Sequence, residues 1–230
     1  MNLIAKKTAL FVVAAVLPMA CGGDAYEEPA AEAEAPADDP GATSVATMDG
    51  LLNPNLALEA EMTAAGVSAE IRAAIMDGRP FMNMEAVDAL LAAHMDEAAR
   101  EELYATMWIP LNLNTASNEE ILLVPGVGDR MAHEFDEYRP YTAMAQFRRE
   151  KGKYVDDAEV ERLARYVFVP IDLNSATREE ILAVPGVGER MAHEFEEYRP
   201  YTDMAQFRRE MGKYVDEGEV ARLERYVVIN

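Results

Sequence analysis

Two five-residue stretches have residue types and spacing suited to a definite chemistry: Val124-Pro125-Gly126-Val127-Gly128 and Val184-Pro185-Gly186-Val187-Gly188. Each follows a short helical pattern, Glu119-Glu120-Ile121-Leu122 or Glu179-Glu180-Ile181-Leu182. Each leads into a second one, Arg130 to Phe135 or Arg190 to Phe195. Pro-Gly-hydrophobic-Gly between short helices predicts a tight turn. Its glycines permit positive φ and leave no side chain between the backbone and whatever approaches it. The amides just past the turn open a helix, so unpaired N–H groups and the positive end of a dipole face outward together. That combination suits a phosphate oxygen.

The elements that must position these turns come as a repeat of period sixty. Residues 111–170 and 171–230 align without a gap and are identical at 43 of 60 positions. A fainter copy occupies 51–110, with Gly66-Val67-Ser68, Arg79-Pro80-Phe81 and Trp108-Ile109-Pro110 in register with the later copies. There Ala65 replaces the proline and Ser68 the second glycine, so the expectation is a retained fold without the phosphate turn. In the last copy Thr177 with Glu180 predicts a capping box, repeated by Ser117 with Glu120. Met191, Ala192, Phe195 and Tyr198 mark one helix face. Pro200 ends that helix, a third starts near Thr202 and buries Met204 and Phe207, and Asp216 with Glu219 opens a fourth with Val220, Leu223 and Tyr226 inward. The Met and aromatic stripe reads as core filling. Four short helices in sixty residues enclose a very small core, which predicts that the units pack on one another.

Ahead of the repeats, Lys6 and Lys7 precede the apolar run Leu10 to Leu17, and Ala20 stands before Cys21. The pattern predicts an export signal over 1–20, too short for a membrane span. Cys21 is the only cysteine, so no intramolecular disulfide forms. Residues 21–50 are mostly Ala, Glu, Asp, Pro and Gly, with Tyr26 their only aromatic, and predict a disordered acidic tether.

The turn between two helices resembles the helix-hairpin-helix motif, which in known families grips DNA backbones without reading bases. The order Leu173-Asn174-Ser175-Ala176-Thr177-Arg178-Glu179-Glu180-Ile181, then the Pro-Gly-Val-Gly turn, then Arg199-Pro200-Tyr201, is similar to the ComEA family of competence proteins; the run from Leu113-Asn114-Thr115-Ala116-Ser117 fits equally. The resemblance covers 111–230 well and 51–110 weakly. It implies an all-α fold of three tandem helix-hairpin-helix units of about 60 residues, the first (51–110) degenerate, followed by 111–170 and 171–230. It also implies capture of double-stranded DNA outside the cytoplasm. By carry-over, the phosphate-contacting positions are Gly126, Val127, Gly128 and Arg130, and Gly186, Val187, Gly188 and Arg190. The family's second hairpin reads Gly-hydrophobic-Gly. Here it reads Gly152-Lys153-Tyr154 and Gly212-Lys213-Tyr214, which predicts a structural turn with Lys153 and Lys213 in reach of a phosphate. Cys21 resembles the lipidated cysteine of a bacterial lipobox, with Pro18 where that family prefers leucine, and implies a membrane anchor; the other reading is a cleaved signal that leaves a free thiol.

Charge pulls the other way. DNA affinity comes mainly from cations displacing counterions, yet the chain carries a formal net charge of −21. The three units carry −7 (three basic, ten acidic residues), −3 (eight, eleven) and −5 (eight, thirteen). Asp129 and Glu189 sit beside the turns, where they would repel a phosphate or, in the plainer reading, favour the helix dipole. Arg148, Arg149, Lys151 and Lys153 cluster, as do Arg208, Arg209 and Lys213. Either each cluster forms a local basic patch beside its hairpin, or its arginines pair with acids such as Glu150 and Glu210 on a solvated face. His133 with Glu137 and His193 with Glu197 fall short of a metal site and read as surface pairs. No cofactor, metal or catalytic residue is expected, so the leading expectation is a non-enzymatic DNA-binding protein. The other is an envelope scaffold that keeps the fold and contacts protein partners.

Overall fold

A computed structural model describes Thr47, Met48 and residues 50–230; the expected signal, Cys21 and most of the expected tether lie outside the described residues. The structure is mostly helical, in three successive sets of four short helices. The first set follows β1 (Thr47–Met48) and β2 (Leu51–Leu52) and contains α1 (Glu59–Ala64), α2 (Ala69–Gly78), α3 (Met84–Leu91) and α4 (Glu97–Tyr104). The second runs from β3 (Leu111–Asn112) through α5 (Asn118–Leu122), α6 (Asp129–Glu137), α7 (Met144–Lys151) and α8 (Asp157–Ala164) to β4 (Val167–Phe168). The third runs from β5 (Ile171–Asp172) through α9 (Arg178–Leu182), α10 (Glu189–Glu197), α11 (Met204–Met211) and α12 (Glu217–Glu224) to β6 (Val227–Val228).

Each set is closed by a parallel contact between its first and last residues. β3 pairs with β4 and β5 with β6, while Leu52 bridges Met107 in the first set. β1 adds an antiparallel partner to β2, so regular structure begins before residue 50, where the tether was expected to end.

The helix starts follow local chemistry. Asp156 and Asp216 accept the N–H of the third residue of α8 and α12, and Asp203 does so for α11, all as N-caps should. Thr177 and Glu180 form the reciprocal capping box. The same box was expected at Ser117 and Glu120, and only half of it forms. Ser117 caps α5, but Glu120 turns to the first set and accepts the Met84 N–H at 3.0 Å. Burial there pushes the Glu120 carboxyl above its ordinary range.

A second repeated device ties the residues before each set's first helix to the corner after its second. Asn114 exchanges two hydrogen bonds with the Tyr141 backbone (2.9 and 2.7 Å), and Arg139 donates to the Leu113 and Ala116 carbonyls at 2.5 and 2.8 Å. Asn174, Tyr201 and Arg199 repeat this in the third set, and Asn55, Phe81 and Arg79 in the first. The three Arg-Pro peptides at these corners, Arg79-Pro80, Arg139-Pro140 and Arg199-Pro200, are cis. The asparagines at 55 and 114 lie 59 apart rather than 60, because the first set has one residue fewer between its asparagine and its turn glycine.

The sets do pack on one another, unequally. Residues from Leu51 to Val167 bury one continuous core across the first two, centred on Trp108, whose indole N–H donates to the Tyr166 carbonyl at 2.9 Å. The third set buries a core of its own around Phe195, Phe207 and Leu223.

One core position departs from its siblings. Leu91 and Met211 fill it in the outer sets, whereas Lys151 fills it in the second, at 0% exposure. The Lys151 Nζ donates to the Glu134 carbonyl and lies 4.7 Å from the Phe135 ring centre. Burial pushes its pKa down to about 8, against the opposing pull of Glu134, Glu137, Glu150 and Asp136. Between about pH 8 and the lysine's ordinary range the folded chain therefore binds fewer protons than the unfolded one, and this contribution to stability grows as pH rises. Lys151→Met should stabilise the protein by about 1–3 kcal/mol near neutral pH. Its advantage over wild type in thermal unfolding should shrink between pH 7 and 10; an advantage that stays constant with pH would contradict this account.

Candidate nucleic-acid interface

The turn of the second set, between α5 and α6, has the pattern of a type II turn. Pro125 stands second, Gly126 third with φ +77°, and the Val127 N–H donates to the Val124 carbonyl at 2.9 Å. Of the two glycines only this first one needs positive φ. Gly128 has φ −108° and is the N-cap of α6, where an added Cβ would meet nothing within 4 Å. Its lack of a side chain leaves the helix end uncapped. Among the described residues, the N–H groups of Gly126, Gly128, Asp129 and Arg130 have no acceptor. The turn of the third set matches, with Gly186 at φ +82° and Gly188 as the bare N-cap of α10.

The first set shows what the sequence differences do. Its turn is a helix C-cap of the Schellman kind: Gly66 donates to the Thr63 carbonyl at 3.0 Å and Val67 to Met62 at 2.9 Å. The Gly66 N–H, whose counterparts are free in the later sets, is thereby used. Ser68 then caps α2 through its hydroxyl, taking the Ile71 N–H at 3.3 Å.

In the second set, Gly128, Asp129, Arg130, Met131 and Glu134 share one cleft with Tyr154, which follows α7. The Pro-Gly-Val-Gly turn and the Gly152-Lys153-Tyr154 turn therefore meet at a single surface. Gly152 itself ends α7 in right-handed geometry, so the second turn is of a different kind. Tyr154 is 41% exposed and its hydroxyl lies 2.6 Å from that of Tyr138, a pairing repeated by Tyr214 and Tyr198 at 2.8 Å. Lys153 covers the Tyr138 ring and Lys213 the Tyr198 ring, which places both lysines beside these tyrosine pairs.

The basic clusters prove to be largely paired. Arg148 bonds Glu161 at 2.9 Å and Arg208 bonds Glu224. Arg149 and Lys153 share Glu150, whose carboxyl they hold below the usual range; Arg209 and Lys213 share Glu210 in the same way. Two cations on one carboxylate still leave one positive charge in excess at each place. Lys151 does not belong to this surface, since it points into the core. Arg130 and Arg190 are exposed and enter no ion pair among the described residues. On the other side of the second turn, a groove brings Glu97 and Glu101 of α4 against Leu122–Gly128. Acids thus flank the turn, and Asp129 stands at its end.

The two turns differ in exposure. Gly126 is exposed, whereas a Cβ on Gly186 would lie 2.6 Å from Arg222 and 3.1 Å from Leu56 of the first set. Gly188, Glu189 and Arg190 remain on the surface. Val127 and Val187 are buried and their N–H groups are bonded to the Val124 and Val184 carbonyls at 2.9 and 3.0 Å, so neither N–H is left for a ligand.

Sequence reasoning passed over Arg162 and Arg222, which lie directly against the turns. The signal was present: both are arginine where the first set has Glu102. His193 lies 3.5 Å from Glu197 on an open helix face, and no group of three or more metal-binding side chains forms among the described residues. No described helix is long and apolar enough to cross a membrane. No family model, no curated protein and no solved structure matches this chain, so the chemistry of the cleft rests on its own geometry.

Proposed function

We propose that the second and third sets are helix-hairpin-helix units that hold the sugar–phosphate backbone of double-stranded DNA without reading its sequence. One observation carries this reading. The free Gly126 and Gly186 amides and an uncapped helix start occur in these two sets beside an unpaired arginine, while in the first set the Gly66 N–H is bonded, Ser68 caps the helix and Glu70 stands in place of the arginine. Amides at a helix start suit an anion, and Arg130 and Arg190 add the charge. The excess cation at each Arg–Glu–Lys cluster supports the same surface. Two modest sites on one chain reinforce each other by effective concentration.

The expected site is outside the cytoplasm, on a membrane anchor at Cys21. Mass spectrometry of the mature N-terminus should then find an acylated Cys21, and cleavage at another residue removes the anchor from the proposal.

The full pairing of Arg148 and Arg208 favours a second reading, an envelope scaffold in which these helices contact protein. Titration of the chain against a short fluorescent duplex separates the two. On the DNA reading, binding is present at low salt and weakens with added salt. Arg130→Ala/Arg190→Ala lowers the salt slope by about 1–2. Gly128→Ser/Gly188→Ser, which gives both helices the cap of the first set, weakens binding while the fold is kept. No binding by a folded wild type at low salt would end the DNA reading in favour of the scaffold.

A further inference from the structure

Pro125 and Gly126 favour the type II form of the turn in the second set, and a contact from α8 adds to that preference. Pro125 fixes its own φ, and the Val127 N–H reaches the Val124 carbonyl whether the central peptide between Pro125 and Gly126 faces one way or is flipped. Types I and II differ chiefly in that flip. Because the carbonyl and N–H of a trans peptide point in opposite directions, the flip decides where the Gly126 N–H is aimed.

Arg162 on α8 makes that contact. Its Nη1 donates to the Pro125 carbonyl at 2.8 Å. Its other two nitrogens are held by Glu159 in a two-point pair, both at 2.7 Å, so the guanidinium is fixed in place. With the carbonyl held toward α8, the Gly126 N–H faces away from it. We propose that Arg162 is a positioning residue that keeps the turn in its anion-accepting form. This rests on the reading of the turn as a phosphate site.

The rest of the chain supplies comparisons. The first set has Glu102 and Ala99 where the second has Arg162 and Glu159, and there the Gly66 N–H is turned back onto the Thr63 carbonyl. In the third set Arg222 is pinned by Glu219 at 2.7 and 2.6 Å and is 1% exposed. Its Nη1 is buried with no partner among the described residues, and Leu56 packs against the same turn. The hydrogen bond to the turn carbonyl is present only in the second set; the third reaches the same turn, with Gly186 at φ +82°, without it and with Leu56 packed against it.

The test uses the full chain with Arg162→Met and Arg162→Lys, read by the Gly126 amide resonance and by affinity for a short DNA duplex. Arg162→Met should move or split the Gly126 resonance, leave Gly186 in place, and lower duplex affinity about tenfold. Arg162→Lys, which can still reach one carbonyl, should restore most of both. If Arg162→Met unfolds the second set, Glu159→Gln replaces it, since it loosens the guanidinium without removing it and should broaden the same resonance. An unmoved Gly126 resonance in a folded variant overturns the proposal, even where affinity falls, because the loss is then one of charge alone. If the wild type binds no duplex, the DNA reading falls, and the Gly126 resonance still decides whether the brace exists.

Discussion

Asn114 and Arg139, with their counterparts in the other two sets, bind the chain entering each group of helices to the corner after its second helix. The asparagine satisfies both the N–H and the carbonyl of one backbone residue, and the arginine takes two carbonyls that no helix uses. Four helices of five to ten residues enclose too little apolar surface to fix their own arrangement. A polar latch made almost wholly to backbone supplies the missing constraint and tolerates changes in side chains around it. The first set illustrates this. It has Ala65 and Ser68 where the later turns have proline and glycine, and one residue fewer ahead of its turn glycine, yet the latch is intact.

Keeping the latch separate from the turn lets the three sets share a fold while differing in what their turns offer. Where Ser68 stands and the Gly66 N–H is bonded internally, the helix start is capped. Where Gly128 and Gly188 stand, it is open at some cost in stability, because glycine caps a helix less well than serine. The acids around these turns, Glu97, Glu101 and Asp129, weaken any anion site without closing it. On the proposed reading, contact of such a surface with a phosphate backbone is reversible and depends strongly on salt.

Much of this was legible from residues alone. The sixty-residue period, the N-caps at Ser117, Thr177 and Asp216, and the inward face of Ala192 and Phe195 follow from spacing and side-chain chemistry. The paired basic clusters were visible as one of two alternatives, and only the distances to Glu161 and Glu224 decide between them. Contacts between distant residues were not legible. Glu120 left its expected box for an N–H in another set, and Lys151 is buried at a position that charge alone assigned to the surface. The latch made by Asn114 and Arg139 was not legible, since their partners lie more than twenty residues away. The cis state of the Arg-Pro bonds has no local signature, and neither does the hold of Arg162 on the Pro125 carbonyl.

Residue-resolved amide mapping on titration with a short DNA duplex tests the central claim most directly. The account predicts shifts at Gly126 and Gly128–Arg130, smaller ones at Gly186 and Gly188–Arg190, and none at Gly66–Glu70. Equal shifts in all three sets, or shifts confined to other surfaces, would contradict it.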